Sequence, residues 1–151
     1  TLEAVLQAVA DRLVVNVEIK SWGLGNDGSA DQVAAVITRC GMQDRVIVSS
    51  FNPLTLRRFR AVLPDVAVGV LCPPTIPLYI SEFMVSHRYE ARHPHFTQID
   101  KYYAAWASGQ GYRINAWTVN DPADAIKLRD MGVDGIITDK PAEILAAVRH
   151  A

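Results

Sequence analysis

Leu13-Val14-Val15-Asn16-Val17-Glu18-Ile19-Lys20 is the stretch on which the rest of the chain turns. Side chains of an extended strand alternate between its faces, so Asn16, Glu18 and Lys20 point one way and Val15, Val17 and Ile19 the other. An antiparallel strand with its polar face in water fits that pattern as well as a strand lining a site does. The elements on either side decide between them.

Before the strand, Thr1 to Arg12 reads as a helix opening with Thr1 as a candidate N-cap and Leu2, Val5, Leu6 and Val9 as its apolar stripe. The chain opens on that helix without a Met, as though further sequence preceded it. After the strand, Ser21 to Ser29 is a loop, and its Gly23-Leu24-Gly25 lacks the lysine and the spacing of phosphate-cradling loops. Asp31 caps a helix through Cys40, with Val33, Val36 and Ile37 buried and Gly41 as its stop. Arg45 to Phe51 is a β-branched strand, Leu54 to Leu63 a helix ended by Pro64, Val66 to Leu71 a strand, and Cys72 to Pro77 a proline-stiffened loop.

Between Leu78 and Pro94 a short helix near Leu78 to Phe83 and a strand around Val85 to Tyr89 keep the rhythm, which ends at His93-Pro94-His95. Gln98 to Ser108 is helical, with Ile99, Tyr102, Tyr103 and Trp106 at apolar spacing. Tyr112 to Asn120 is a strand with Arg113, Asn115 and Trp117 on one face and Ile114, Ala116 and Thr118 on the other. Asp121-Pro122 opens a helix through Met131, Gly132 to Asp139 is the last strand, and Lys140-Pro141 starts the closing helix.

A strand followed by a helix thus recurs about six times, at the spacing of a right-handed crossover unit. That repetition specifies an α/β chain of the TIM-barrel type, with parallel strands and outer helices, over 1–151 as a single partial domain. The outer faces of such strands pack on helices. The Asn16, Glu18, Lys20 face is therefore expected to turn inward, near the C-terminal end of its strand, where barrels build their active sites.

Composition narrows the function. The 151 residues are 50% hydrophobic and 21% charged, with a formal net charge of -1. There is no basic stripe, and the cluster Arg57, Arg58, Arg60 falls in a helical segment, so no nucleic-acid partner is expected. No apolar run approaches the roughly 20 residues that span a bilayer, and no charged n-region leads into an apolar core. A cytoplasmic location is the expectation. Cys40 and Cys72 lie far apart without metal-ligand spacing and are expected to be unpaired, buried thiols.

Asn16-Val17-Glu18-Ile19-Lys20, Val46-Ile47-Val48-Ser49-Ser50-Phe51, His93-Pro94, Ala116-Trp117-Thr118-Val119-Asn120 and Gly132 to Pro141 together resemble the glycerophosphodiester phosphodiesterase family of metal-dependent TIM-barrel enzymes. Their order and spacing cover almost the whole chain. The resemblance implies that the strands here are the third to eighth of the family barrel. It also implies that the family's His-Arg-Gly motif, its Glu-x-Asp metal pair and its His-Asp motif belong upstream of Thr1.

On the resemblance, Glu18 is similar in position to the family's third metal carboxylate, with Mg or Ca as the implied cation, and Lys20 to the lysine beside the phosphate. Trp117 resembles the aromatic wall on the glycerol side of the substrate, or else fills the barrel core, and Phe51 carries the same two readings. His87, His93 and His95 are expected to be structural or solvent-facing, Ser49 and Ser50 to support the rim, and Asp139 to cap a helix. Glu18, Lys20 and Trp117 are expected to converge at one mouth.

Three functions follow. One is metal-assisted hydrolysis of a small-molecule phosphodiester to glycerol 3-phosphate and an alcohol. Another is a phosphate-binding barrel isomerase in which Glu18 is a general base. The last is a non-catalytic barrel fragment. With the upstream motifs missing, the 151 residues alone are expected to be inactive, and the open sheet edges to be covered by a partner or swapped chain.

Overall fold

The computed structural model describes residues 1–10, 12–78 and 89–150. They form two compact units, Thr1–Leu71 and Cys72–Ala151.

In the first unit, helix α1 (Leu2–Val9) opens with the Thr1 hydroxyl accepting from the Ala4 amide at 3.2 Å. Leu6 is buried completely, whereas Val5 of the expected stripe is half exposed, because so short a helix meets its neighbours along a narrow line. Strands β1 (Val15–Glu18), β2 (Val46–Ser50) and β3 (Ala67–Cys72) pair in parallel in that order. β1 is shorter than its apolar run, and Leu13 and Val14 stand exposed ahead of it. The ladder still reaches Ile19, whose N–H donates to Ser49 O at 2.8 Å.

Helix α2 (Ser29–Cys40) starts two residues before the expected cap, Asp31. Asp27 sets the first turn by accepting from the Ser29 hydroxyl at 2.6 Å and the Ser29 amide at 3.0 Å. Those bonds hold the exposed Asp27 carboxyl down at about 2. Gly41 ends the helix at φ 63, a left-handed conformation that a β-carbon resists. Helix α3 (Pro53–Val62) is capped by Asn52, whose Oδ1 accepts from the Leu54 amide at 3.0 Å. Leu6, Ile37, Val48, Leu56, Phe59 and Val68 are all buried completely. Each such side chain is worth about 1.5–3 kcal/mol relative to exposure, so this layer holds the unit together.

In the second unit, β4 (Ala91–Pro94), β5 (Arg113–Ala116) and β6 (Gly135–Ile136) pair in parallel, with helices α4 (Lys101–Gly109), α5 (Pro122–Asp130) and α6 (Pro141–His150). The strand expected around Val85 to Tyr89 falls, but for Tyr89, outside the described residues, and the strand Ala91–Pro94 covers His93-Pro94. Pro94 is tolerated there as the strand's last residue, where a missing N–H costs little. The helix expected near Leu78 to Phe83 and residues 85–88 lie outside the described residues.

Asp100 caps α4, accepting from the Tyr103 amide at 2.7 Å, so the helix begins at Lys101 rather than Gln98. Its buried positions are Ala104 and Ala107, and Tyr102, expected on the apolar face, is 73% exposed with the Lys101 ammonium 5.1 Å from its ring centre. Ile114, Ala116, Val119, Ala125, Leu128 and Ile144 form the core with the two alanines. Asp134 ties the entry of β6 to β5, accepting from the Ile114 amide at 2.9 Å and from Arg113 at 2.6 Å, and this partner raises the Arg113 pKa.

Arg92 is buried among apolar groups, 5.7 Å from the Trp106 ring centre and 5.6 Å from that of Tyr112. Its guanidinium also donates to Cys72 Sγ at 3.7 Å. Cys72 is buried as expected, Cys40 only partly, and neither forms a disulfide. Among the described residues no helix is long and apolar enough to cross a membrane.

Candidate functional site

Period-two alternation holds through the decisive strand. Val17 and Ile19 are buried, while Asn16, Glu18 and Lys20 are exposed on the opposite side. In register, Val17 pairs with Val48 and Val48 with Val68, making a buried apolar row; one step on, Glu18 pairs with Ser49 and Ser49 with Gly69. Glu18 thus lies on the face away from the apolar row, at the C-terminal end of β1. Glu18, Lys20, Ser21, Trp22, Ser50 and Phe51 border one small hollow there.

The rim of that hollow is tied down by short bonds. Ser50 Oγ donates to Ile19 O at 2.7 Å and accepts from the Asn52 amide at 3.1 Å. Asn52 Nδ2 reaches Gly23 O at 2.9 Å, and the Arg58 guanidinium donates to Leu24 O at 2.7 Å and Gly25 O at 2.6 Å. The glycine-rich loop is therefore held by α3, and it presents Trp22 at 84% exposure, stacked on Phe51 at 6.5 Å and 13°. Trp22 was not singled out by sequence pattern, since one aromatic in a glycine-rich loop carries no periodic signal. Ser49 is buried, and its hydroxyl has no hydrogen-bond partner among the described residues.

A metal needs several oxygen ligands, and Glu18 is a suitable hard one. Among the described residues no three His, Cys, Asp or Glu side chains gather into a metal-binding group. Among the described residues Glu18 stands as a single candidate ligand.

Trp117 belongs to the second unit, just past β5 and half-buried. Its amide donates to Pro94 O at 3.2 Å, its carbonyl accepts from the Phe96 amide at 2.9 Å, and the indole Nε1–H donates to His93 O at 2.6 Å. The His95 ring meets the indole edge-on at 5.1 Å and 88°. The Trp117–Thr118 peptide bond is cis. His93 itself is 1% exposed, a buried residue rather than a solvent-facing one, and burial pushes its pKa down to about 4. Its Nε2 lies 3.0 Å from Asn115 Nδ2, and its Nδ1 has no hydrogen-bond partner among the described residues.

At the end of β6, Asn120 Oδ1 accepts from the Asp139 amide at 2.9 Å and the Thr138 hydroxyl at 3.0 Å, while Asn120 Nδ2 donates to the Asp139 carboxylate at 2.9 Å. Asp139 thereby locks two loops together.

The glycerophosphoryl diester phosphodiesterase family model matches residues 1–143. The chain belongs to that family. A glycerophosphodiester phosphodiesterase of Caldanaerobacter subterraneus is 30% identical over 99% of this chain and 61% of its own length. The crystal structure of a glycerophosphodiester phosphodiesterase from Parabacteroides distasonis superposes with a TM-score of 0.80 at 25% identity, covering 99% of this chain and 63% of that one. An Oleispira antarctica phosphodiesterase, solved with its product sn-glycerol-3-phosphate, gives a TM-score of 0.75 at 24% identity over 89% of this chain and 54% of that chain. The chain spans about three-fifths of the length of the curated relatives it matches. Its α/β fold with parallel strands is the fold of this phosphodiesterase family.

Proposed function

We propose that the protein carrying this chain hydrolyses glycerophosphodiesters to glycerol 3-phosphate and an alcohol, its strands serving as the third to eighth of a family barrel. The observation that carries the proposal is the placement of Glu18 and Lys20 two residues apart on one face at the C-terminal end of β1, in a chain of this family. The Oleispira antarctica phosphodiesterase, bound to sn-glycerol-3-phosphate, supports the choice of substrate class.

Glu18 is assigned as one oxygen ligand of a divalent cation, Mg or Ca. When bound, such an ion polarises a phosphoryl oxygen and lowers the pKa of its water. Lys20 carries a fixed positive charge to where phosphoryl oxygens gain negative charge, an interaction stronger in the transition state than in the bound substrate. Phe51, at the border of the Glu18 hollow, supplies apolar surface against the carbon skeleton of the diester.

Release of glycerol 3-phosphate from glycerophosphocholine by the full-length protein, with and without EDTA, tests the assignment. Turnover is expected to vanish with EDTA and return with Mg or Ca. Glu18→Gln should bring it to background, and Lys20→Ala should lower kcat by about 10²-fold with a smaller change in KM. Metal-independent turnover, or full activity in Glu18→Gln, would sink the proposal.

A further inference from the structure

We infer that Trp22 and Asp27, carried on the glycine-rich loop beside Glu18 and Lys20, form a seat for a quaternary ammonium, so that the preferred diester releases a choline-like alcohol. This inference rests on the phosphodiesterase reading above and names the alcohol side of its substrate.

The loop sets opposite charges on either side of an aromatic face. Lys20 and Trp22 both border the Glu18 hollow. Trp22 stacks on Phe51 at 6.5 Å and 13° yet is 84% exposed, so the indole is backed on one side and open on the other. Asp27 stands further along the same loop, its carboxyl held down at about 2 by the Ser29 hydroxyl and amide and by the Ser21 hydroxyl, and it is ionised at any working pH. The bond from Ser21 brings that carboxylate back beside the residue that precedes Trp22.

The seat is built before a ligand arrives. Asn52 holds Gly23 O, the Arg58 guanidinium holds Leu24 O and Gly25 O, and Ser29 holds Asp27. A loop fixed at both ends loses little further freedom when it binds.

Charge chooses the ligand. In a phosphocholine ester the trimethylammonium stands two carbons beyond the ester oxygen, a cation following an anion. The loop offers the complementary order, with Lys20 for the phosphate and then Trp22 and Asp27 for the ammonium. An indole face attracts such a cation, and quaternary ammonium groups are recognised on aromatic faces in this way. A primary ammonium needs acceptors for three N–H groups, whereas Asp27 Oδ1 already accepts two bonds from Ser29. A quaternary ammonium has no N–H to satisfy, and a neutral alcohol gains nothing from the charge of Asp27.

The experiment uses the full-length protein, unmodified and as Trp22→Leu, Trp22→Phe and Asp27→Asn. Leucine keeps apolar bulk without a π face, phenylalanine keeps a face, and asparagine keeps an oxygen for the Ser29 bonds without the charge. The first measurement is kcat/KM for glycerophosphocholine divided by that for its 3,3-dimethylbutyl isostere, in which a neutral carbon replaces the nitrogen. The intrinsic difference between the two leaving groups cancels when this ratio is compared between proteins. Trp22→Leu and Asp27→Asn are each expected to lower it about fivefold, chiefly through KM, and Trp22→Phe to stay close to the unmodified value. The second measurement is titration with tetramethylammonium chloride against a sodium chloride control, read by NMR at the Trp22 indole N–H and assigned with Trp22→Phe. That resonance should shift to saturation, with a Kd about fivefold higher in Asp27→Asn.

A ratio unchanged in Trp22→Leu or in Asp27→Asn makes the indole a plain apolar wall and overturns the inference. An indole that tetramethylammonium shifts no more than sodium does overturns it whatever the activities. Absence of glycerophosphocholine turnover in the unmodified protein instead defeats the phosphodiesterase reading, and the titration alone then decides whether Trp22 and Asp27 seat a quaternary ammonium.

Discussion

His93 shows how much of a single residue's setting its neighbours in sequence leave open. Beside Pro94 it reads as either structural or solvent-facing, and the structure decides for the first, because Pro94 is the final residue of β4 and His93 lies buried inside the strand. The period-two pattern did place Asn115 and Trp117 on one face, because that inference needs only one strand. The partner on β4 was not legible, since cross-strand register is set by tertiary pairing. The burial has a measurable effect. The His93 pKa falls from its ordinary 6.5 to about 4, so between those values the unfolded chain binds a proton that the folded chain refuses. Its contribution to stability is present above about pH 6.5, declines as pH falls toward about 4, and declines no further below that. The loss amounts to roughly 3 kcal/mol at about 1.4 kcal/mol per pH unit. NMR titration of labelled histidine should find His93 neutral until about pH 4, and an ordinary midpoint near 6.5 would contradict the buried geometry.

At the scale of elements, helix starts were legible where the capping residue directly abuts the first helical residue and stands out in the sequence, as at Thr1 and Asp121. Asp121 caps α5 as expected, accepting from the Ala123 amide at 2.8 Å. The start of α2 was missed because Asp27 acts through the Ser29 hydroxyl, a contact outside the usual spacing from cap to helix. Asn52 combines two tasks, capping α3 through Oδ1 and holding Gly23 O through Nδ2. Asn52→Ala is therefore expected to destabilise by about 1–2 kcal/mol in denaturant melts, the cost of a lost cap and one further hydrogen bond. Arg58→Ala should cost less in global stability, because its targets are exposed loop carbonyls, but it should speed amide exchange across Gly23 to Asn26. If the loop exchanged equally fast in both proteins, the Arg58 clamp would be a contact without consequence.

At the scale of the molecule, the strand and helix rhythm was legible because it repeats, and the two compact units were not, because no composition shift marks the step from Leu71 to Cys72. The edge of β1 carries a prediction that follows from strand geometry alone. Successive amides of a strand point to opposite sides, and the Ile19 N–H points to β2, where it meets Ser49 O. The Val17 amide shares that direction, so those of Asn16 and Glu18 point to the other edge, where β1 has no strand neighbour among the described residues. Leu13 and Val14, at 57% and 64% exposure, stand beside the start of that edge. Open edges flanked by apolar side chains invite pairing, and native proteins cover them. In the full-length protein the Asn16 and Glu18 amides are therefore expected to exchange as slowly as those of Val17 and Ile19, protected by another strand of the same protein or of a second copy. Dilution separates the sources, since only protection by a second copy falls with concentration. Exchange about 10²-fold faster at Asn16 and Glu18 than at Val17 and Ile19 would mean that the edge stays open, leaving the Glu18 rim bounded by solvent on that side.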